Sequence, residues 1–289
     1  MNITDISFPN LGIYLNNVPK SFNVFGLEIA LYGVIIAIAM FSGLKLATAV
    51  AKRTGQNQEL YWDFFIYAVI FGIIGARIYY IIFQWDLYKD NLLDVFNLRQ
   101  GGLAIYGGVI AAFITIYVFC KVKKYSPTLL GDTGMPGLIL GQAIGRWGNF
   151  FNREVFGEYT NNIFAMRLPI DAVRQRDITS ALAGHIAEGE NFIQVHPTFL
   201  YESLWNLAVC IIILLYWKHK KFDGEICLLY LFGYGLGRAW IEAIRTDQLY
   251  ITGTTIPVSM ALAIVLVVGS LLADIIIRVR INSKKEAAK

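Results

Sequence analysis

The stretch GRWGNFFNREVFG, residues 145–157, gathers charged and amide side chains at the end of a long apolar segment. If the helix continues, Arg146, Asn149 and Arg153 fall on one face because they are spaced three and four residues apart. Gly148 leaves room for a ligand to approach the backbone. A guanidinium flanked by amide donors suits a phosphate, which it binds through charge-assisted hydrogen bonds. This stretch therefore predicts a phosphate site.

A second arginine lies within a later apolar segment, GYGLGRAWIEAIR, residues 233–245. There Arg238 and Glu242 are four residues apart, a spacing that makes them neighbours on a helix. One interpretation is that Arg238 grips the same phosphate as Arg146 while Glu242 orients Arg238. The alternative is that Arg238 and Glu242 only neutralise each other.

The composition indicates which elements must position these side chains. The 289 residues are 56% hydrophobic and 16% charged, whereas a soluble domain carries about 25% charged residues. The sequence has no basic run interleaved with aromatic residues, so we expect no nucleic-acid partner. Its three cysteines lie in apolar segments, and no CxxC or HExxH pattern is present, so we expect neither a metal site nor a cofactor.

Seven segments approach the length of about 20 apolar residues that crosses a bilayer. We predict an all-α membrane protein with seven transmembrane helices, in which residues 1–289 form a single integral membrane domain. Residues 152–197 are predicted to be an extracytoplasmic insertion, a small lobe between the fourth and fifth helices. The predicted spans are Val24–Ala51, Trp62–Phe83, Gly102–Val122, Leu129–Phe151, Thr198–Trp217, Gly224–Ile244 and Ile256–Val279.

The basic residues predict the orientation of the spans. Clusters of lysine and arginine follow the first, third, fifth and seventh spans, which places them all on one side. The positive-inside rule assigns that side to the cytoplasm. We therefore expect the N-terminus and the 152–197 lobe outside and the C-terminus in the cytoplasm. The clusters comprise Lys52, Arg53, Lys121, Lys123, Lys124, Lys218, Lys220, Lys221, Arg278, Arg280, Lys284, Lys285 and Lys289.

With this orientation, polar groups from six predicted helices share one layer near the outer surface. Ionisable groups inside a membrane are costly and are functional candidates by default. Each also has a structural alternative, since an arginine near a helix end can snorkel to the head groups and a tyrosine can belong to the interfacial belt. The alternatives do not explain the common depth. The residues concerned are Glu28, Tyr32, Arg77, Tyr106, Arg146, His196, Glu202, Arg238 and Glu242.

Three other functional classes fit the pattern less well. A transporter also has buried charges and glycine-interrupted helices, but its binding site lies near the middle of the membrane. A retinal-type sensor needs a lysine in the last span, and none occurs between Ile256 and Val279. A scaffold leaves Arg146 and Arg238 without a purpose. The residues favour binding of a phospholipid head group from the outer leaflet.

The same residues resemble the signature of bacterial prolipoprotein diacylglyceryl transferases. That signature reads Gly-Arg-x-Gly-Asn-Phe-x-Asn-x-Glu-x-x-Gly, and here it runs from Gly145 to Gly157. Three further stretches are similar to family motifs: LYG at 31–33, HPTFLYE at 196–202 and YGLGRAWIEAIR at 234–245. The segment GGLAIYGG at 101–108 resembles the glycine-rich motif of the third span, which contains Gly107 and Gly108.

This resemblance implies a reaction and its partners. The family transfers the diacylglyceryl group of phosphatidylglycerol to the thiol of the lipobox cysteine of a preprolipoprotein, forming a thioether and releasing glycerol 1-phosphate. The chain is then expected to be a transferase of the bacterial cytoplasmic membrane, with its active site facing the outer leaflet. Its partners are phosphatidylglycerol and the signal-peptide region that carries the lipobox cysteine.

The predicted catalytic residues are Arg146, Arg238, Tyr106, Glu242 and His196. The predicted substrate-binding residues are Tyr32, Gly107, Gly108, Arg146, Asn149, Asn152, Glu154, Gly157 and Arg238. Some members have a histidine where this sequence has Tyr106, and a phenol with an ordinary pKa near 10 is a poor base at neutral pH. His196 is the other candidate base, and the alternative is that it is a turn residue before Pro197. The identity of the proton acceptor stays open.

Overall fold

A computed structural model describes residues 2–97 and 101–287 of the chain, which is mostly helical. The long apolar segments form helices because every backbone donor and acceptor finds its partner within the same segment, as a bilayer requires. The helices are α1 (Leu31–Arg53), α2 (Gln58–Phe83), α3 (Ile105–Lys123), α4 (Pro127–Asn152), the one-turn α5 (Ser180–Ala183), α6 (Thr198–Tyr216), α7 (Glu225–Glu242) and α8 (Val258–Ala287).

Among the described residues, five helices are long and apolar enough to cross a membrane: α1, α2, α3, α6 and α8. Many of their large apolar side chains are exposed, as expected where lipid rather than water is the neighbour. The prediction of a helical membrane protein is therefore confirmed. α4 and α7 coincide with the fourth and sixth predicted spans, but they are rich in glycine, α4 contains Pro136, and together they carry Arg146, Arg238 and Glu242. The count of seven spans stays a prediction.

The prediction of an all-α fold was wrong, because small antiparallel sheets are present. Four short strands pair in the order β2-β1-β5-β6, and β3 pairs with β4. Two strands of the larger sheet come from the N-terminal segment and two from the 152–197 lobe. Strands of three or four residues leave too little alternation to be recognised in sequence. The strands are β1 (Ile6–Phe8), β2 (Ile13–Leu15), β3 (Ser21–Val24), β4 (Leu27–Ala30), β5 (Met166–Pro169) and β6 (Phe192–Val195).

The first helix begins later than its predicted span, at Leu31 rather than Val24. The intervening residues turn through Phe25 and Gly26, which both have positive φ angles, of 50° and 83°. Two consecutive positive φ values between paired strands are typical of the tight turn that joins a β-hairpin. β3 and β4 therefore use apolar residues that the sequence pattern assigned to the membrane.

The chain forms two compact units. One unit comprises the chain up to Gly43 together with the chain from Met135 onwards. Its lobe has an apolar core made by the larger sheet together with the end of α4 and the start of α6. The other unit is Leu44–Gly134, in which α2 packs against α3 and a second apolar core includes Tyr61, Phe119 and Leu130.

Within the second unit, Arg77 does not snorkel to the surface. It is buried, with 7% of its surface exposed, and its guanidinium donates to the carbonyls of five loop residues that follow α2. The donor–acceptor distances range from 2.6 Å, to Asp94, to 3.2 Å, to Asn97; the other acceptors are Val95, Gly101 and Gly102. Arg77 therefore organises the segment that leads into α3.

We expect Arg77→Lys to lower the free energy of unfolding by about 3 kcal/mol, because an ammonium cannot reach carbonyls on both sides of the guanidinium fork and buried acceptors lose their donors. Thermal unfolding in detergent measures the loss, and faster amide exchange over residues 92–97 locates it. Lys89→Ala is the control, since Lys89 makes an exposed ion pair with Asp86. Equal stability of the two variants would contradict this role.

Candidate active site

The candidate site lies in the first unit, where aromatic packing fixes the end of α4 beside the start of α6. The ring centroids of Phe150 and Phe199 are 4.9 Å apart, and those of Trp147 and Phe199 are 5.3 Å apart. Residues three or four apart share a helix face. Arg146 is four residues before Phe150, and Glu202 is three residues after Phe199, so this aromatic contact brings Arg146 close to Glu202.

A second contact fixes α7 against α6. The indole nitrogen of Trp205 donates to the carbonyl of Gly233 at 2.8 Å. The same ring covers Gly237, where an added Cβ would lie 2.2 Å from a ring carbon. The glycines of GYGLGR therefore allow close packing of the two helices. Because Gly237 directly precedes Arg238, this packing fixes the position of Arg238 along the axis of α6.

These contacts bring the two predicted arginines to one carboxylate. Arg146 Nη1 lies 3.0 Å from Glu202 Oε2, and Arg238 Nη1 lies 3.3 Å from Glu202 Oε1. The Glu202 side chain is 3% exposed, whereas those of Arg146 and Arg238 are 22% and 14% exposed. A buried anion with one oxygen towards each guanidinium thus occupies the gap in which the sequence predicted a phosphate.

Arg238 also belongs to a chain of ion pairs beyond Glu202. Its Nη2 lies 2.7 Å from Glu242 Oε2, as the spacing of four residues predicted. The same Glu242 oxygen is 3.9 Å from Arg245, which holds both oxygens of Asp247 at 2.9 and 2.8 Å. Burial alone would raise the pKa of Asp247, but the hydrogen bonds from Arg245 outweigh it and hold that pKa below its ordinary value.

The whole cluster contains three arginines and three carboxylates, so its formal charges cancel. Each guanidinium has five N–H donors in a planar fork, more than the contacts above use. A group with several oxygens, such as a phosphate, can therefore bind to both arginines without first breaking every ion pair. In a buried site these charge-assisted hydrogen bonds are stronger than in water. The arrangement is suited to holding an anionic group and stabilising further negative charge on it.

Glu154 organises the exit from α4. It accepts hydrogen bonds from Asn149 at 3.1 Å and Asn152 at 3.3 Å, and it pairs with Arg174 at 2.9 Å. The structure thus brings these predicted residues together, with both amide groups directed at the carboxylate. A direct contact of Asn149 or Asn152 with substrate stays a prediction.

The expectation that Arg153 shares the face of Arg146 and Asn149 was wrong. α4 ends at Asn152, and Arg153 has a φ angle of 54°, which turns its side chain away. The guanidinium is buried and donates to the carbonyl of Thr4 at 2.7 Å and to that of Val18 at 2.5 Å. Arg153 therefore ties the N-terminal segment to the lobe. The sequence pattern failed here because it assumed a helix longer than the real one.

The remaining predicted residues of this unit lie around the same junction. The ring of Tyr32 fills the space beside Gly148, where an added Cβ would meet it at 2.7 Å, so the room expected at that glycine is occupied by the protein. Gly157 joins two chain segments, since its N–H donates to the carbonyl of His196 at 3.0 Å and it bridges to Arg245. Burial lowers the pKa of His196, and its Nδ1 lies 3.3 Å from the Tyr201 hydroxyl.

Tyr106, Gly107 and Gly108 belong to the other unit, and their part in the site stays a prediction. Tyr106 is 47% exposed, and its ring centroid lies 6.4 Å from that of Tyr79. An added Cβ at Gly107 would lie 2.3 Å from the carbonyl oxygen of Gly75 and 2.4 Å from Tyr79 Cβ. Gly107 therefore permits the close approach of α3 to α2.

We expect Gly107→Ala to destabilise the protein by about 2 kcal/mol, because the backbone it meets cannot move aside cheaply. Gly108→Ala is the matched control: its Cβ would lie 3.5 Å from the nearest atom, in ordinary contact, so it should unfold at the wild-type temperature. Thermal unfolding in detergent compares the two. If both variants were as stable as the wild type and both lost binding of lipid vesicles, substrate contact would be the better account of these glycines.

Sequence reasoning placed Glu202 in the polar layer without assigning it a role, and it gave no role to Arg245. The bridge made by Glu202 depends on contacts among three helices, for which one sequence offers no direct signal. The stretch HPTFLYE, which is similar to a family motif, ends at Glu202. The place of Glu202 in that motif was the one feature of the sequence that indicated a functional role for it.

Comparison with known proteins agrees with the motifs. A family model described as prolipoprotein diacylglyceryl transferase matches residues 19–276. Proteins named phosphatidylglycerol–prolipoprotein diacylglyceryl transferase are similar to the chain along most of its length. The one from Finegoldia magna is 39% identical over 247 residues, covering 85% of this chain and 91% of the relative. The Clostridioides difficile protein is 38% identical, with coverages of 88% and 93%, and a Clostridium botulinum protein is 42% identical, with 81% and 87%.

Proposed function

The chain belongs to the prolipoprotein diacylglyceryl transferase family, and we propose that Arg146 and Arg238 hold the phosphate of the lipid donor during that family's reaction. The protein is a transferase that moves a diacylglyceryl group from phosphatidylglycerol to a prolipoprotein, the first step of lipoprotein maturation. We call the pair Arg146 and Arg238 the phosphate clamp. The observation that supports the clamp is that both guanidiniums contact one buried carboxylate, that of Glu202, at 3.0 and 3.3 Å.

In the proposed reaction, the sulfur of the lipobox cysteine attacks the glycerol carbon that carries the phosphate ester. A carbon–sulfur bond forms, the carbon–oxygen bond breaks, and glycerol 1-phosphate leaves with the bonding electrons. The phosphate gains one negative charge in this step. Preorganised cations at the leaving group stabilise that charge more in the transition state than in the bound lipid, which accelerates the reaction.

Residues next to the two arginines support the reaction by positioning the arginines and the head group. Glu242 orients Arg238 through the 2.7 Å ion pair. Asn149, Asn152 and Glu154 shape the exit from α4 and border the head group. Close arginines also favour the thiolate over the thiol, and the thiolate is the reactive nucleophile.

Five further predicted residues have a proposed role in the reaction. Tyr32 and Tyr106 are proposed to offer hydroxyl groups to the phosphate or the sulfur. Gly107 and Gly108 are proposed to bind substrate, as the resemblance to the family's third-span motif implies. His196 has the unperturbed pKa closest to neutrality and is one candidate to take the thiol proton, although its Nδ1 is directed at Tyr201.

We also propose seven membrane crossings in a single integral domain, with α4 and α7 as the fourth and sixth. The basic clusters assign the ends of α1, α3, α6 and α8 to the cytoplasm. The 152–197 insertion, the N-terminus and the site then face outwards, and the enzyme works from the outer leaflet of the bacterial cytoplasmic membrane. This orientation suits an acceptor whose cysteine follows a signal peptide.

Purified protein incubated with phosphatidylglycerol vesicles and a lipobox peptide tests the function. A mass increase on the peptide cysteine equal to one diacylglyceryl group is the expected result. The control is the same peptide with serine in place of cysteine, which should stay unmodified. Solute flux across the vesicles without any modified peptide would instead support the transporter alternative.

A further inference from the structure

The carboxylate between the two arginines has an oxygen that is not fully engaged. Glu202 Oε1 accepts a hydrogen bond from Arg238 at 3.3 Å. Arg146 Nη1 is 3.0 Å from Oε2, but in the described part of the chain no donor is aligned for a hydrogen bond with that oxygen. Buried polar atoms are nearly always hydrogen-bonded, and exceptions call for an explanation. A lone pair on Oε2 is therefore available to a group that enters the site with a proton.

The other candidates for the thiol proton are less suitable. Tyr106 is a phenol, and phenols are poor bases at neutral pH. His196 directs Nδ1 at the Tyr201 hydroxyl. Glu154 accepts from two asparagines and pairs with Arg174, so its oxygens are already occupied. Glu202 is the remaining carboxylate in direct contact with both arginines of the proposed clamp.

Binding of the lipid changes the surroundings of Glu202 in the required direction. A phosphate held by Arg146 and Arg238 takes up donors that otherwise serve the carboxylate. The phosphate also adds one negative charge to the cluster of three arginines and three carboxylates, whose formal charges otherwise cancel. Besides Glu202 and the two arginines of the clamp, this cluster contains Glu242, Arg245 and Asp247. A buried carboxylate accepts a proton more readily when it loses some of its contacts with positively charged groups. The base would thus become active only when the donor lipid is in place.

We infer that Glu202 is the catalytic residue that accepts the proton of the prolipoprotein thiol, an assignment that rests on the proposed function. The S–H proton passes to Oε2, and the sulfur keeps the electron pair with which it attacks the glycerol carbon. As the carbon–oxygen bond breaks, the phosphate diester monoanion becomes a monoester dianion. A phosphate monoester has a second pKa near 6, so it can carry the proton away from Glu202 and return the carboxylate to its charged state.

Two peptides that differ only in the acceptor atom test this assignment. Selenocysteine replaces the lipobox cysteine in one of them, because a selenol is more acidic than a thiol and is already ionised at neutral pH. With the cysteine peptide, Glu202→Gln should lower the rate by about 100-fold or more, the usual contribution of a general base. With the reduced selenocysteine peptide, the same variant should stay within roughly fivefold of the wild type, since no base is then required.

A role limited to holding the arginines predicts a different result, namely equal losses with the two peptides, and that outcome would overturn the assignment. Unchanged rates with both peptides would overturn it as well. Glu202→Asp serves as a second variant, because it keeps the charge but withdraws the carboxylate by one methylene. It should show a smaller loss with the same preference for the selenol. A wild-type protein that modifies neither peptide would instead reject the proposed function, and this assignment with it.

Discussion

Arg146→Lys and Arg238→Lys each lower the rate of diacylglyceryl transfer by about 1000-fold, the effect expected when a preorganised donor to a developing oxyanion is lost. Lysine keeps the positive charge, so Glu202 retains a cation nearby. An ammonium is nevertheless a point charge without the planar fork that lets one side chain serve a carboxylate and a phosphate together. We therefore expect a large loss of transfer rate with little change in the free energy of unfolding.

The measurement is the initial rate of transfer from labelled phosphatidylglycerol to a lipobox peptide, with thermal unfolding recorded on the same preparations. Arg176→Lys is the matched control, because the Arg176 side chain is 77% exposed and lies in the lobe. It should leave both the rate and the unfolding temperature unchanged. Substantial transfer by either clamp variant would show that the phosphate is held elsewhere.

The positions of the long helices could be predicted from the sequence because the bilayer imposes a simple rule on length and polarity. The fifth span was predicted at Thr198–Trp217, and α6 covers Thr198–Tyr216. The pairing of Arg238 with Glu242 was equally accessible, since four residues make one helical turn. Both predictions depend only on local geometry, which neighbouring elements cannot easily alter.

What the sequence did not show depends on distant parts of the chain. β1 is three residues long and pairs with β5, more than 150 positions away. Arg153 reaches the carbonyls of Thr4 and Val18 only because the N-terminal segment folds over the lobe. The bridge through Glu202 likewise requires that contacts of Phe199 and Trp205 fix the positions of α4 and α7 along α6.

The second large effect concerns Gly157, which the sequence assigned to substrate binding. An added Cβ there would lie 2.7 Å from the carbonyl oxygen of Ile244 and 2.9 Å from His196 Cβ. Neither neighbour is the flexible end of a long side chain. Gly157→Ala should therefore force apart the segment after α7 and the segment before α6, destabilising the protein by about 3 kcal/mol. Because Glu202 and Arg245 lie beside these segments, most of the transfer activity should be lost as well.

Gly184→Ala provides the comparison within the same lobe. Its Cβ would lie 3.5 Å from the nearest atom, so it should keep both stability and activity. Thermal unfolding and the transfer assay are measured on the two variants side by side. A Gly157→Ala protein with wild-type stability but no binding of phosphatidylglycerol vesicles would contradict this structural role and would support a role of Gly157 in substrate binding. Loss of stability together with activity would instead mean that this glycine of the signature serves the junction on which the arginine cluster depends.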